Sequence, residues 1–179
     1  MNVILDLDNT IISTQSTKSK VKYYNYLVYD KTDIIYFRPH LQEFLDYLFA
    51  NFNVSVFTHA DKDYAMFIVD NIILRGRKDR KLDFVFYRYH VNMGMRLYNG
   101  YKDLRLLWDE FKMYDFYPSN TVIIDDNVLV QQTNPYNTIR VVPFEANNER
   151  DDELLRVIKV LQYLKQKEIK SNIPILYDK

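Results

Sequence analysis

The sequence predicts an α/β fold with a central parallel sheet covered by helices on both faces. Short apolar runs of strand length alternate with longer segments whose apolar residues recur at helical spacing. Three of these runs, at residues 2–7, 54–57 and 121–124, lead directly into polar residues, as strands do at the ligand-binding edge of such a sheet. A length of 179 residues suits a single domain, residues 1–179, with a core of its own.

The amino-terminal half begins with a buried strand and a hairpin. Two apolar segments, residues 23–29 and 34–37, flank the turn sequence DKTD, which indicates paired antiparallel strands. Pro39 then occupies the favoured first position of a helix. The predicted apolar face of this helix contains Leu41, Phe44, Leu45, Leu48, Phe49 and Phe52.

The remaining elements follow the strand at residues 54–57. A second helix is expected from residue 61 to about residue 76. Residues 82–101 are aromatic, turn-rich and weakly periodic, so we expect a small β insertion of short strands there. Lys102 leads another predicted helix, and after a strand at residues 139–142 the predicted closing helix covers residues 151–167.

Composition excludes several classes of function. There is no cysteine, which rules out disulfides, thiolate metal sites and thiol-based catalysis. The three glycines form no phosphate-binding loop. Net charge is zero, so neither a nucleic acid nor a membrane surface is expected as a partner. The sequence shows no signal peptide and no apolar run long enough to cross a bilayer, and we expect a cytoplasmic or nuclear protein that is not secreted.

Three predicted strands end in polar side chains at one edge of the sheet. Carboxylates that converge there need a cation, and oxygen ligands without cysteine or histidine favour Mg²⁺. Lys102 adds a positive charge beside them, which suits phosphoryl transfer. The polar residues at these strand ends are Asp6, Asp8, Thr10, Thr58, Asp125 and Asp126.

This arrangement resembles the haloacid-dehalogenase phosphatases, and most closely their FCP/SCP branch, which acts on the C-terminal domain of RNA polymerase II. The resemblance runs from residue 3 to about residue 164, with motifs in the same order and at similar spacing. It implies a three-layer, Rossmann-like fold. The matching segments are LDLDNTI (5–11), FRPHLQEFL (37–45), VFTHA (56–60), YKDL (101–104), IIDDN (123–127), NPYN (134–137) and DELL (152–155).

The resemblance also implies catalytic roles. Asp6 would be the nucleophile that forms an aspartyl-phosphate, and Asp8 would protonate the leaving oxygen and then accept a proton from water. Thr10 would orient the Asp8 loop, while Thr58 and Lys102 would bind the phosphoryl oxygens. The implied Mg²⁺ ligands are Asp6, the backbone carbonyl of Asp8, and Asp126, with Asp125 close behind.

The expected substrate is a phosphoserine or phosphothreonine in a protein that resembles the polymerase tail. Arg88 aligns with an arginine that contacts substrate phosphate in the family, although a surface ion pair is an equal alternative. The expected substrate-binding residues are Tyr24, Tyr26, His59, Tyr64 and Arg88.

Two departures from the family pattern leave other functions open. Ser16 replaces an aromatic residue of the pocket that binds a substrate proline, and Asp61 replaces an apolar neighbour. One alternative is therefore a polynucleotide or small-metabolite phosphatase of the same superfamily. A second alternative is a catalytically weak protein-binding module, which the presence of both Asp6 and Asp8 disfavours.

Overall fold

The computed structural model describes residues 1–16, 25–146 and 148–167. Eight strands and five α-helices of at least six residues occur in these ranges. Two short π-helical segments, Val69–Leu74 and Leu106–Glu110, are also present. The strands are β1 (Asn2–Leu5), β2 (Ile12–Ser16), β3 (Tyr26–Tyr29), β4 (Asp33–Phe37), β5 (Asn53–Phe57), β6 (Leu82–Phe86), β7 (Thr121–Asp125) and β8 (Thr138–Arg140). The helices are α1 (Leu41–Asn51), α2 (Lys62–Ile68), α3 (Arg88–Tyr98), α4 (Val128–Thr133) and α5 (Glu153–Lys167).

The central sheet has five strands in the order β6-β5-β1-β7-β8, and all pairs are parallel. Every residue of β1 is buried because the strand lies between β5 and β7 and both faces of the sheet are covered. Val3 and Leu5 point into the core formed with α1, α2 and α5, while Ile4 points into the core on the opposite face. The predicted α/β fold with helices on both faces is confirmed.

A separate three-stranded sheet lies between β1 and α1 in sequence, in the order β2-β4-β3. Strands β3 and β4 pair antiparallel, with Tyr26 opposite Tyr36, which confirms the predicted hairpin. Strand β2 joins the other side of β4, with Ile12 opposite Phe37. This small sheet packs its inner residues, such as Ile35, into the main core.

The β insertion predicted at residues 82–101 is wrong. Strand β6 belongs to the central sheet, where it pairs parallel with β5, and residues 88–98 form α3. The aromatic residues favoured strands. Instead, a hydrogen bond caps the first turn of α3: the backbone N–H of Tyr87 donates to Nδ1 of His90 at 3.1 Å. The small β element of this fold is instead the sheet formed by β2, β3 and β4.

Helix predictions hold where apolar spacing is strong. Helix α1 buries Leu41, Phe44, Leu45 and Leu48 of its predicted face, and α5 forms within its predicted range. Helix α2 continues as a π-helical segment, Val69–Leu74, before Gly76. The helix predicted to begin at Lys102 is wrong, because that residue has φ +48° and the regular segment is Leu106–Glu110. None of the described helices combines the length and the apolar character that a membrane span requires.

Candidate active site

A cavity of about 310 Å³ opens at the carboxyl edge of the central sheet. Strands β1, β5 and β7 lie side by side, so the residues that follow them meet at this edge. The predicted strand-end residues and the lysine therefore come together although they lie far apart in sequence. The cavity lining includes Asp6, Asp8, Thr58, Lys102, Asp125 and Asp126.

Lys102 joins two carboxylates at the floor of this cavity. Its Nζ atom lies 2.6 Å from Asp6 Oδ1 and 2.6 Å from Asp125 Oδ2. All three residues are almost completely buried. Burial alone would lower the pKa of the Lys102 ammonium, but the charges of Asp6 and Asp125 outweigh it and raise that pKa. The lysine is therefore a fixed positive charge beside Asp6.

The carboxylates at the floor of the cavity carry more negative charge than the single Lys102 ammonium can balance. Burial, followed by repulsion from Asp6, raises the pKa of Asp125. The same two causes raise the pKa of Asp126. Three carboxylate oxygens, one each from Asp6, Asp125 and Asp126, lie within 4.8 Å of one another. This acidic group is suited to hold a cation.

Hydrogen bonds fix the orientation of these carboxylates. The buried Thr10 hydroxyl donates to Asp6 Oδ2 at 3.2 Å and lies 3.4 Å from Asp126 Oδ1. Asp125 Oδ1 accepts from the backbone N–H of Asn127 at 2.8 Å, so both of its oxygens have partners. Asp6 is therefore held from two sides, by a hydroxyl and by an ammonium.

Asp8 lies beside Asp6 but has different partners. Its Oδ1 accepts from the Tyr64 hydroxyl at 2.8 Å and lies 3.4 Å from Thr14 Oγ1. Burial raises the pKa of Asp8; the hydrogen bond from Tyr64 opposes that shift and the charge of Asp6 adds to it. Burial and the charge of Asp8 also raise the pKa of Tyr64, which keeps its hydroxyl protonated. The raised pKa favours the protonated form of Asp8, which a group that transfers a proton requires.

The β5 end and α3 form the cavity wall. The buried Thr58 hydroxyl accepts from the backbone N–H of Ala60 at 3.0 Å, which leaves its hydrogen free to donate. Arg88 contacts Asp61 Oδ1 at 2.7 Å and donates to the His59 carbonyl at 3.2 Å. Burial, with the charges of Arg88 and Lys102, lowers the pKa of His59, so this imidazole is neutral near pH 7.

The profile of the NLI interacting factor-like phosphatases matches residues 1–171. The chain belongs to this phosphatase family. It is 37% identical over 175 residues to a putative CTD phosphatase-like protein of Invertebrate iridescent virus 6, covering 89% of this chain and 96% of the relative. The corresponding protein of Invertebrate iridescent virus 3 is 36% identical over 181 residues, covering 91% and 96%. The resemblance to FCP/SCP-type phosphatases is confirmed.

A solved structure supports the fold. The fission yeast RNA polymerase II CTD phosphatase Fcp1 superposes with a TM-score of 0.56 at 22% identity. The match covers 93% of this chain and 51% of the yeast chain, so the phosphatase described here spans about half of that structure. The predicted three-layer, Rossmann-like α/β fold is thereby confirmed.

The predicted substrate residues of this phosphatase lie in different places. His59 and Arg88 line the cavity at the carboxyl edge of the sheet, and Tyr64 contacts Asp8. Tyr26 is about half exposed and lines a separate cavity of about 430 Å³ between the hairpin and α1. Tyr24 lies outside the described residues.

Two buried residues without a role predicted from the sequence shape the site. Arg38 donates to the Thr10 carbonyl at 2.8 Å and forms a bidentate pair with Asp151. Asn134 donates to the Lys102 carbonyl and accepts from the backbone N–H of Leu104, both at 3.1 Å. Arg38 lies in the segment FRP and Asn134 in the segment NPYN, and both segments resemble family motifs. That resemblance is the sequence feature that could have identified them.

Proposed function

We propose that this phosphatase hydrolyses phosphoserine or phosphothreonine in proteins, with Mg²⁺ as cofactor and Asp6 as the residue phosphorylated during turnover. One observation carries the proposal. The Asp6 carboxylate is held between Lys102 and Thr10 at the floor of the cavity, beside a second carboxyl group, Asp8, whose pKa burial raises. A fixed nucleophile next to a proton carrier is the arrangement that two-step phosphoryl transfer requires.

In the first step, an Asp6 oxygen attacks phosphorus as the bond from phosphorus to the serine or threonine oxygen breaks. Asp8 donates its proton to that oxygen, so the alcohol leaves neutral. In the second step, Asp8 removes a proton from water, which attacks the aspartyl-phosphate and releases phosphate. Lys102 and Thr58 line the cavity, and their proposed role is to bind phosphoryl oxygens and so to reduce the charge that develops there.

The donor set fits Mg²⁺. Asp6 and Asp126 offer carboxylate oxygens on one side of the cavity, and Asp125 completes the acidic group. The Asp8 carboxylate is engaged by hydroxyls, so the proposed contribution of Asp8 to the metal is its backbone carbonyl. Mg²⁺ bound there would neutralise phosphoryl charge and align the ester with the nucleophile.

A phosphoprotein substrate is supported by the relatives, whose names describe CTD phosphatases. Arg88 and His59 at the cavity wall are the proposed contacts for the peptide, with Tyr64 beside them. The zero net charge gives no reason to expect a nucleic acid as substrate. Such a substrate implies a cytoplasmic or nuclear site of action.

The test compares phosphatase activity on a phosphoserine-proline heptad peptide, a small aryl phosphate and a 3′-phosphorylated oligonucleotide. We expect turnover of the peptide that stops with EDTA and returns with Mg²⁺. Asp6→Asn should abolish turnover because the amide is a poor nucleophile of similar shape. Asp79→Asn, at an exposed ion pair with Arg77, is the matched control and should retain activity.

Each other outcome selects a different function. Full activity in excess EDTA would reject the metal. Activity of Asp6→Asn above a few per cent would move the nucleophile elsewhere. Higher kcat/KM on the oligonucleotide or on a metabolite ester than on the peptide would favour the other phosphatase classes. Peptide binding without turnover of any ester would indicate a protein-binding module.

A further inference from the structure

The side chain of Asp8 is oriented by two residues outside the catalytic loop. Tyr64 lies in α2 and Thr14 in β2, and their hydroxyl oxygens are 2.5 Å apart. Both approach the same atom, Asp8 Oδ1, at 2.8 Å and 3.4 Å respectively. Among the described residues, Oδ2 of Asp8 receives no hydrogen bond, so it is the oxygen that can carry a transferable proton.

The two hydroxyls form a directional chain. Each hydroxyl has one hydrogen to donate. The short distance from Tyr64 to Asp8 assigns the tyrosine hydrogen to that carboxylate. The Thr14 hydrogen then points to the Tyr64 oxygen, because the 2.5 Å contact is much shorter than the 3.4 Å contact with Asp8. Thr14 therefore orients Tyr64, and Tyr64 orients Asp8.

The tyrosine is itself fixed by packing. Its ring meets the Tyr29 ring edge-on, with 5.1 Å between centroids. Tyr29 lies in β3 of the small sheet, and it also contacts the Phe67 ring on α2 at 4.9 Å. Packing against Tyr29 of the small sheet therefore restricts the position of the Tyr64 ring, which α2 carries.

We propose that Tyr64, oriented by Thr14, is a positioning residue that fixes the rotamer in which Asp8 protonates the leaving oxygen. The inference rests on the proposed function. As Asp6 attacks phosphorus and the ester bond breaks, the proton moves from Asp8 Oδ2 to the leaving alkoxide. Tyr64 stays bound to Oδ1 throughout and transfers no proton. A small sheet inserted after β1 thus contributes to the chemical step.

Dependence on the leaving group tests this role. The parameter kcat/KM reports the steps up to phosphorylation of Asp6. We expect Tyr64→Phe to lower kcat/KM about tenfold or more for a small alkyl phosphate, whose alkoxide needs a proton. For 4-nitrophenyl phosphate, whose leaving group is a weak base, we expect a loss below about threefold. Neither ester contains a peptide, so lost peptide contacts cannot produce this difference.

Two further variants complete the design. Thr14→Val should change the two esters in the same unequal sense by a smaller factor, because Tyr64 still reaches Asp8. Tyr29→Phe keeps the ring contact and should leave both values near wild type. Equal losses on the two esters in Tyr64→Phe, or no loss on either, would overturn the positioning role. If the wild-type protein hydrolyses neither ester nor the phosphopeptide, it is the proposed function that fails.

Discussion

Replacing Lys102 with methionine tests the electrostatic design of the site. The Lys102 ammonium contacts Asp6 and Asp125 at 2.6 Å each, and all three side chains are at least 93% buried. Methionine fills a similar volume but leaves two buried carboxylates without their cation. Unpaired charges in a buried site are costly because neither water nor an opposite charge compensates them.

The expected loss of stability is about 3–5 kcal/mol, the usual cost of removing one partner from a buried ion pair. For a chain of this size, each kcal/mol lowers Tm by about 2–4 °C, so Tm should fall by about 6–20 °C. The loss should shrink as pH falls. Burial raises the pKa of Asp125 in the folded state, so the folded variant binds protons more tightly than the unfolded chain and gains stability on acidification.

The assay is thermal unfolding in EDTA at pH 8 and pH 5.5, followed by addition of Mg²⁺ at pH 8. We expect Mg²⁺ to restore part of the lost stability, because a bound cation replaces the ammonium charge without restoring phosphatase activity. Lys81→Met removes an exposed lysine and should change stability by less than about 0.5 kcal/mol. A Lys102→Met protein that unfolds within 2 °C of wild type at pH 8 without Mg²⁺ would refute the reasoning.

Two predictions concern stability outside the site. Burial lowers the pKa of His90, which stacks on Phe86 at 4.1 Å and accepts from the Tyr87 N–H. The unfolded chain therefore binds the proton more tightly, and the free energy of unfolding should fall as pH drops through about 6.5; His90→Gln should flatten that decline in denaturant titrations. The Ser55 hydroxyl is buried without a partner among the described residues. Ser55→Ala should therefore raise the free energy of unfolding by roughly 0.5–1 kcal/mol, and an unchanged value would show that the hydroxyl is satisfied.

Strands β1, β5, β7 and β8 of the central sheet were predictable because their signal is local, whereas β6 was assigned to an insertion. Each of these four strands contains a short apolar run, and the residue after the strand is polar at β1, β5 and β7. Helix α3 was not predictable in this way. Of its residues, Val91 and Gly94 are buried, so the apolar periodicity is weak. Its first turn is capped by Tyr87 together with His90. This pair differs from the Ser/Thr and Glu residues that usually mark the start of a helix in a sequence.

The conformation of Lys102 depends on contacts that are distant in sequence. A lysine with φ +48° is uncommon, and nothing in its neighbourhood signals it. Asn134, located 32 residues later, binds the Lys102 carbonyl and the N–H of Leu104 and so holds this loop. The motif YKDL identified the lysine, but the backbone turn that brings its ammonium between two carboxylates follows from tertiary contacts.

The residues proposed for chemistry and those proposed for substrate choice lie in different parts of the fold. Asp6 and Thr58 directly follow β1 and β5, and Asp125 is the last residue of β7, so the sheet itself sets their positions. The cavity wall instead carries the pair Arg88–Asp61, at 2.7 Å and with side chains 48% and 68% exposed. An ion pair this exposed contributes about 0–1 kcal/mol. A phosphopeptide can therefore replace Asp61 as the partner of Arg88 at a small free-energy cost. In the proposed function, the presence of Asp61 where the family has an apolar residue alters substrate preference and leaves phosphoryl transfer intact.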